Sequence, residues 1–183
     1  STITAEYHNI SEFRRGGDHI NLPLHMAEIA EQVDHNINGG SLRWNYYAPN
    51  TRHFVDIYTS VQGISRDSYY GTGKDPNAYG RTEDVTIVAG AQYSYVFNKC
   101  LFMPAQFTVG FEYTYNDLDD HSIGFDRSIQ QTVRTAGLFV QNEWKSDKVN
   151  FVIGGRFDKH NMMDNIIFSP RANLRYSPHE DIG

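Results

Sequence analysis

Strict two-residue alternation between Gln106 and Asn116 constrains this chain more than any other feature of its sequence. The even positions of this segment are polar or small. The odd positions are all apolar or aromatic: Phe107, Val109, Phe111, Tyr113 and Tyr115. Because successive side chains of a β-strand point to opposite faces, the segment is predicted to be a strand with one apolar and one polar face.

The same alternation recurs along the whole chain. Eight segments show it: 3–13, 37–47, 53–62, 85–97, 106–116, 132–144, 149–158 and 170–176. Aromatic residues, which favour strands, are abundant, with 12 Tyr, 11 Phe and 2 Trp among 183 residues. We therefore predict an all-β protein of about eight antiparallel strands.

The connections alternate between short turns and longer polar loops. The short turns are 48–51, 98–99, 145–148 and one that begins at Ser177, and the loops are 14–31, 68–84, 116–128 and 159–165. Since all short turns fall at one end of an up-and-down meander, the pattern is that of a transmembrane β-barrel. Within the first loop, apolar residues at helical spacing predict a short amphipathic helix over Leu24–Gln32.

The apolar face of these strands could meet lipid or a soluble core, as in a lipocalin-like barrel or a sandwich. Three observations favour lipid. A ten-residue strand tilted by roughly 40° rises about 25 Å, which is the height of a lipid-facing band. Aromatic residues gather at the ends of the apolar stripe, at headgroup depth: Trp44, Tyr46, Tyr95, Phe97, Tyr113, Tyr115, Trp144, Phe157 and Tyr176. The opposite face carries charged and amide groups that suit a wet lumen: Arg43, Asp56, Gln92, Glu112, Gln141, Glu143, Arg156, Asp158, Arg171 and Arg175.

Several classes of function lack support in the sequence. The formal net charge is −6 and the basic residues do not cluster, so we expect no nucleic-acid partner. No nucleophile elbow, phosphate loop or metalloprotease motif is present, so we expect no enzyme. The single cysteine, Cys100, has no partner for an internal disulfide.

Two segments carry a resemblance to a known family. Gln141–Lys145 leads into the hairpin Phe151–His160, and Ser169–Tyr176 reads SPRANLRY. Together they resemble the central barrel of TonB-dependent outer-membrane receptors, and the tyrosine-rich segment 66–80 and the segment 13–17 resemble loops of the cobalamin, siderophore and haem branch. The likeness covers essentially the whole chain.

The resemblance implies a barrel of about 22 strands around an N-terminal plug domain that the TonB complex couples to inner-membrane energy. Residues 1–183 would then form a partial barrel domain without the plug, the TonB-box segment or the remaining strands. It further implies the outer membrane of a Gram-negative bacterium, contact with its lipid, and uptake of a scarce large nutrient such as an iron chelate, haem or cobalamin. The alternatives are a small closed barrel that serves as an adhesin or anchor, and a passive porin.

Loop residues supply candidate contacts for a metal chelate or corrinoid, through imidazole, aromatic and guanidinium groups. They are Arg14, Arg15, His19, His25, Tyr69, Tyr70, Tyr79, His121 and His160. Loop carboxylates offer oxygen ligands for calcium, the one metal that the sequence suggests. These are Asp75, Asp117, Asp119 and Asp120. No other cofactor is expected.

Overall fold

A computed structural model describes residues 1–177 of the chain and consists of eight strands and two single turns of 3-10 helix. The strands are β1 (Thr2–Gly17), β2 (Ile29–Tyr47), β3 (His53–Thr72), β4 (Tyr79–Cys100), β5 (Met103–Ser122), β6 (Arg127–Lys145), β7 (Val149–His160) and β8 (Ile167–Tyr176). The 3-10 turns lie at Leu24–Met26 and Ile123–Phe125. No helix in the described part of the chain is long and apolar enough to cross a membrane.

The strands form one antiparallel sheet in the order β1 to β8, so that each strand pairs with its neighbours in sequence. The prediction of about eight strands in up-and-down order is confirmed. The register is continuous except between Phe97 and Cys100, where β4 shifts against β5. Within residues 1–177, β1 and β8 lie at the two edges of the sheet and do not pair with each other.

Exposure of side chains to solvent is inverted relative to a soluble protein. On one face Phe111 and Ile153 are each 49% exposed, and Leu138 is 52% exposed. On the other face Asp56 and Thr108 are each only 4% exposed. The apolar face therefore has no protein packed on it within the described residues, whereas the polar face is covered by its own side chains.

Aromatic residues form a belt at the turn end of the apolar face, as the sequence predicts. Trp144 stacks between Phe102 and Phe151, with ring centroids 5.6 and 5.5 Å away. The indole Nε1 of Trp144 donates to the backbone oxygen of Cys100 at 2.9 Å. A buried ring with a satisfied N–H is well suited to the boundary between hydrocarbon and water.

The predicted loops are too long, because several strands continue into them. The observed loops are 18–28, 73–78, 123–126 and 161–166, and the β4–β5 turn lies at 101–102 instead of 98–99. The turn that begins at Ser177 lies largely outside the described residues. Beyond the membrane both faces of a strand meet water, so a strand there need not show apolar alternation. The loop assignment therefore failed where polar residues are hydrogen-bonded in strands.

The predicted helix over Leu24–Gln32 is also wrong. Only Leu24–Met26 is helical, and β2 begins at Ile29. Ala30 pairs with Gly17 on one side and with Gly71 on the other. Pairing with strands on both sides hydrogen-bonds the backbone of β2 from Ala30 onward, which stabilises it more than a short isolated helix would.

The strands differ in how far they extend beyond the apolar band. The segments 62–72 of β3, 79–84 of β4 and 116–122 of β5 form a tall polar extension, called the high wall below. In contrast, β7 has 12 residues and β8 has 10. Arg134, Lys159 and the loop 161–166 form the low rim at this side of the sheet.

Candidate functional site

The polar face of the sheet carries ion pairs at the depth of the apolar band. The guanidinium of Arg43 on β2 donates to both carboxylate oxygens of Asp56 on β3, at 2.8 and 2.6 Å. Asn45 adds a third hydrogen bond to Asp56 at 2.8 Å. Asp56 is thus buried with every expected partner in place, which removes most of the cost of its burial.

A second network on the same face connects β3 to β7. The Tyr58 hydroxyl donates to Glu112 Oε2 at 2.6 Å, and Arg156 Nη2 donates to Glu112 Oε1 at 3.1 Å. Both long side chains cross a glycine to reach Glu112. A Cβ at Gly90 would collide with the Tyr58 ring, and one at Gly137 would collide with the Arg156 guanidinium. The two glycines therefore allow these side chains to lie flat on the wall.

The high wall carries a third cluster on the same face, centred on Asp120. Thr82 donates to Asp120 Oδ1 at 2.6 Å, and Arg127 Nε donates to Oδ2 at 2.6 Å. Arg66 approaches the same carboxylate at 4.0 Å. The Thr82 hydroxyl, together with Arg127, lowers the pKa of the Asp120 carboxyl below its ordinary value of 3.8. Asp120 is therefore a carboxylate at neutral pH and holds two arginines at the loop end of the polar face.

The polar face also contains an open groove of about 470 Å³ beside the second network. Phe139 is an inward-facing exception to the alternation and lies among amide and guanidinium groups. The side chains around it are Gln92, Gln141, Arg156 and Arg171. This mixture of one aromatic ring with polar groups suits contact with a protein segment or a polar organic molecule.

The opposite face of the high wall is closed by packing. Tyr69 is 1% exposed and packs with Ala27, Ala30 and Ala78. Its hydroxyl donates to the backbone oxygen of Asp75 at 2.8 Å, and burial raises its pKa. Loop 18–28 therefore folds onto the outward face of the wall.

A second set of contacts joins loop 18–28 to loop 73–78. His25 Nδ1 lies 3.1 Å from the Tyr79 hydroxyl, and the Gly73 N–H donates to the Glu28 backbone oxygen at 2.7 Å. Lys74 Nζ lies 2.8 Å from Glu28 Oε1. These contacts connect the two loops, in addition to the packing around Tyr69.

The structure divides the predicted ligand contacts between the two faces. Arg14, Tyr70 and His160 share the register of the polar face, beside Val33, Glu31 and Thr135 respectively. Four others share the register of the apolar face: Arg15, Tyr69, Tyr79 and His121. His19 and His25 lie in loop 18–28. Most of these residues are in strands instead of loops, and they do not form one cluster.

The individual environments limit what these side chains can contact. Arg14 pairs with Glu12 at 2.7 Å and is exposed, as is Tyr70 at 47%. Arg15 donates to the Leu22 backbone oxygen at 3.2 Å. Tyr70 and Arg14 are therefore accessible on the polar face, whereas Tyr69 and Arg15 help hold loop 18–28.

The predicted calcium ligands are dispersed. Asp117 accepts a hydrogen bond from Thr132, Asp119 accepts one from Gln130, and the Asp75 carboxylate accepts one from the Asn77 N–H. Asp120 is on the opposite face from Asp117 and Asp119 and is bound by arginine. Within residues 1–177, no three carboxylate, imidazole or thiol groups come together as a metal site.

Sequence reasoning missed the residues that organise the polar face of the high wall, Arg66 and Arg127. The sequence nevertheless allows the face of each side chain on β3 to be predicted. Counting in steps of two from Ile57 places Tyr69 with the apolar residues of β3 and Arg66 and Tyr70 on the other face. The count works because β3 has no bulge against β2 or β4.

An apolar outward face, a charged inward face and an up-and-down order define a wall of a membrane β-barrel. The family model of the TonB dependent receptor-like β-barrel matches residues 9–182. The chain belongs to this family of outer-membrane receptors and transporters, which are not enzymes. Searches of curated proteins and of solved structures give no significant match.

Proposed function

We propose that this chain forms part of the barrel of a receptor in the outer membrane of a Gram-negative bacterium, and that the receptor imports a scarce large nutrient. The candidate nutrients are an iron chelate, haem and cobalamin. One observation carries the proposal: the apolar face is bare and the charged face is covered by its own ion pairs. Such a wall suits hydrocarbon outside and a polar lumen inside.

The edges of the sheet support a larger barrel. Strands β1 and β8 each have one unpaired side within residues 1–177. Unpaired backbone N–H and C=O groups are too costly in hydrocarbon, so further strands must cover both edges in the membrane. We infer that residues 1–183 are a partial barrel domain and that other parts of the same receptor close it.

The polar face supports a plug domain in the lumen. Several of its charged side chains neutralise each other within the wall, as Arg43 and Asp56 do. The remaining amides and the groove around Phe139 are open to a protein partner. In the proposed receptor the plug contacts this face and transmits force from TonB, so that import depends on inner-membrane energy.

The loop end of the polar face supplies the proposed nutrient contacts. Tyr70 and Arg14 are exposed there, and His160 lies at the end of β7 on the same face. An aromatic hydroxyl, a guanidinium and an imidazole can contact a planar macrocycle or an anionic chelate. His19 and His25 remain candidates through their loop, and Tyr79 and His121 are less favoured because they face outward.

Uptake by the full-length receptor tests the proposal. Cells that carry it as their only receptor are supplied with a ferric siderophore, haem or cobalamin, with and without TonB. We expect uptake of one nutrient that requires TonB. Uptake that does not require TonB would instead indicate a passive porin, and cell attachment without uptake would indicate an adhesin.

A matched pair of tyrosine variants tests the proposed nutrient contacts. Tyr70→Ala should weaken binding of the imported nutrient about tenfold without lowering the surface abundance of the receptor. Tyr79→Ala removes a tyrosine from the outward face of the same region and should weaken binding less than Tyr70→Ala does. If Tyr70→Ala binds as the wild type does, the polar face of the high wall is not the nutrient site.

A further inference from the structure

Three isoleucines form an apolar patch on the polar face of the sheet, beside the base of the high wall. Ile10 on β1 lies directly opposite Ile37 on β2, and Ile37 lies directly opposite Ile64 on β3. Ile10 is 53% exposed, and Ile37 and Ile64 are partly exposed. These three residues, called the isoleucine patch below, therefore present apolar surface to the interior of the barrel.

Contact with lipid does not account for the isoleucine patch. Ile10 shares its face with Arg14, four residues along β1, and Ile64 shares its face with Tyr70, six residues along β3. This is the face that turns away from the hydrocarbon, where the other strands carry charged, amide and hydroxyl groups. The patch is thus an apolar exception on a polar surface.

Hydrogen-bonding groups border the patch along the strands. His8 and Gln62 lie two residues toward the turn end, and His35 and Arg66 lie two residues toward the loop end. The His8 ring lies over Gly39, where a Cβ would collide with it. An apolar surface with a few polar groups at its border is the usual composition of a site for a small molecule.

Charges of both signs lie around the patch. They belong to Glu12, Arg14, Arg66, Asp84 and Asp120. Glu12 pairs with Arg14 at 2.7 Å, and Arg66 lies 4.0 Å from Asp120. Because these charges offset each other, selection of a ligand here depends on apolar contact area and not on net charge.

The width of the patch fits one macrocycle. Neighbouring strands lie about 4.8 Å apart, so three directly opposed isoleucines span about 10 Å. This span is comparable with the width of a tetrapyrrole ring, which combines an apolar ring system with polar side arms at its periphery. A ferric siderophore instead surrounds its iron with polar oxygens, and isoleucine would desolvate them without offering a hydrogen bond.

We propose that the isoleucine patch binds the ring of a tetrapyrrole, either a porphyrin or a corrinoid. This inference rests on the proposed receptor function and narrows the imported nutrient to one chemical class. The ring packs on the three isoleucines, and its side arms reach the bordering groups of His8, Gln62 and His35. Arg14 lies about 13 Å from Ile10 along β1, so a side arm of the same molecule can also contact this proposed nutrient residue.

Calorimetric titration of the full-length receptor in detergent tests the proposal. The probes are haem, cobalamin and a ferric tris-catecholate siderophore. We expect one of the two tetrapyrroles to bind at least about tenfold more tightly than the siderophore. Whether that ligand is haem or cobalamin distinguishes a porphyrin site from a corrinoid site.

Variants of the patch separate ligand contact from a structural role. Ile37→Thr with Ile64→Thr keeps the β-branched side chains that favour a strand but removes apolar area. This variant should bind the tetrapyrrole about tenfold more weakly, with a less negative heat-capacity change on binding. Ile37→Val with Ile64→Val should retain the affinity within about threefold. The matched control is Val88→Thr, opposite Ser60 on the same face but outside the patch, which should bind as the wild type does.

Tighter binding of the siderophore by the wild type, full affinity of the threonine variant or an equal loss in Val88→Thr would each overturn the proposal. The ligand preference of the wild type decides the matter even if the threonine variant fails to assemble. TonB-dependent uptake of a siderophore alone would overturn the tetrapyrrole site and leave the proposed receptor function intact. Tight tetrapyrrole binding with uptake that does not require TonB would have the opposite meaning, so the two proposals can fail independently.

Discussion

The high wall and the low rim are parts of one sheet that end at very different heights. Strands β3, β4 and β5 have 20, 22 and 20 residues, whereas β7 and β8 have 12 and 10. At equal tilt, 22 residues rise about 55 Å and 12 residues about 30 Å. The sheet therefore has a common membrane-spanning part and an extension on one side only.

The two regions are stabilised by different means. The high wall stands in water and depends on its own contacts, namely the Asp120 cluster on one face and the packing around Tyr69 on the other. The low rim has no comparable packing among residues 1–177, and its exposed apolar groups suit contact with lipid. The comparison predicts that mutations at membrane depth destabilise the barrel equally below both regions. Mutations above that depth should affect stability in the high wall and not in the low rim.

The largest effect is expected at hydrocarbon depth. Phe111→Arg below the high wall and Ile153→Lys below the low rim each place a charge in the apolar band, which should lower the free energy of unfolding by about 2 to 4 kcal/mol. Urea unfolding of the full-length receptor in lipid vesicles measures both. Val152→Lys is the control, because Val152 faces inward opposite Glu143. A cost for Val152→Lys as large as that for Ile153→Lys would mean that the faces are reversed.

The next effect is expected in the high wall alone. Tyr69→Ala removes the ring that packs on Ala27, Ala30 and Ala78, which should reduce the local stability of loop 18–28 by about 2 to 3 kcal/mol. Limited proteolysis of intact cells should then cut this loop faster, while the unfolding transition of the barrel stays unchanged. Tyr70→Ala should leave the cleavage rate at the wild-type level. Equal protection of loop 18–28 in wild type and Tyr69→Ala would contradict the packing role.

A smaller effect, on the pH dependence of local stability, is expected for Asp120. Its folded-state pKa is lowered, so the carboxylate contributes full stability at neutral pH and loses it as the pH falls below about 4, through the lower folded value. The protection of the amides in residues 116–122, corrected for the intrinsic pH dependence of hydrogen exchange, should fall on acidification. Asp120→Asn should lower local stability by about 1 to 2 kcal/mol at neutral pH and abolish the acid response. An unchanged acid response in this variant would assign it to another group.

The smallest effect is expected for the ion pair that joins the two loops of the high wall. Lys74 and Glu28 lie 2.8 Å apart, but both side chains are more than half exposed. Water and salt screen such pairs, so Lys74→Gln should leave the rate of loop cleavage unchanged. Cleavage as fast as that of Tyr69→Ala would show that charge, and not the tyrosine packing, holds the loops together.

Sequence periodicity predicted the membrane part of the fold because lipid imposes a strong difference between faces. From Phe107 to Tyr115 every outward residue must be apolar, so the pattern is unambiguous. Above the membrane, residues such as Asp117 and Asp119 are outward and yet polar. The strand continues there, but both of its faces meet water, so apolar and polar residues no longer alternate in the sequence.

The candidate site was predictable in part. Arg14 and Tyr70 lie on the polar face as a nutrient contact requires, although their contact with a nutrient remains a prediction. Tyr69 differs from Tyr70 by one position and is fully buried. Composition cannot separate these two neighbours, whereas strand register does, and register in an extended polar strand depends on pairing with distant residues.

The glycines of the polar face have a consequence for the space inside the barrel. Tyr58 and Arg156 lie along the sheet because Gly90 and Gly137 leave room beneath them. Without those glycines, two of the longest side chains of the wall would project toward the barrel axis. Space on the inward face of the sheet is thus gained at the residues that lack a side chain.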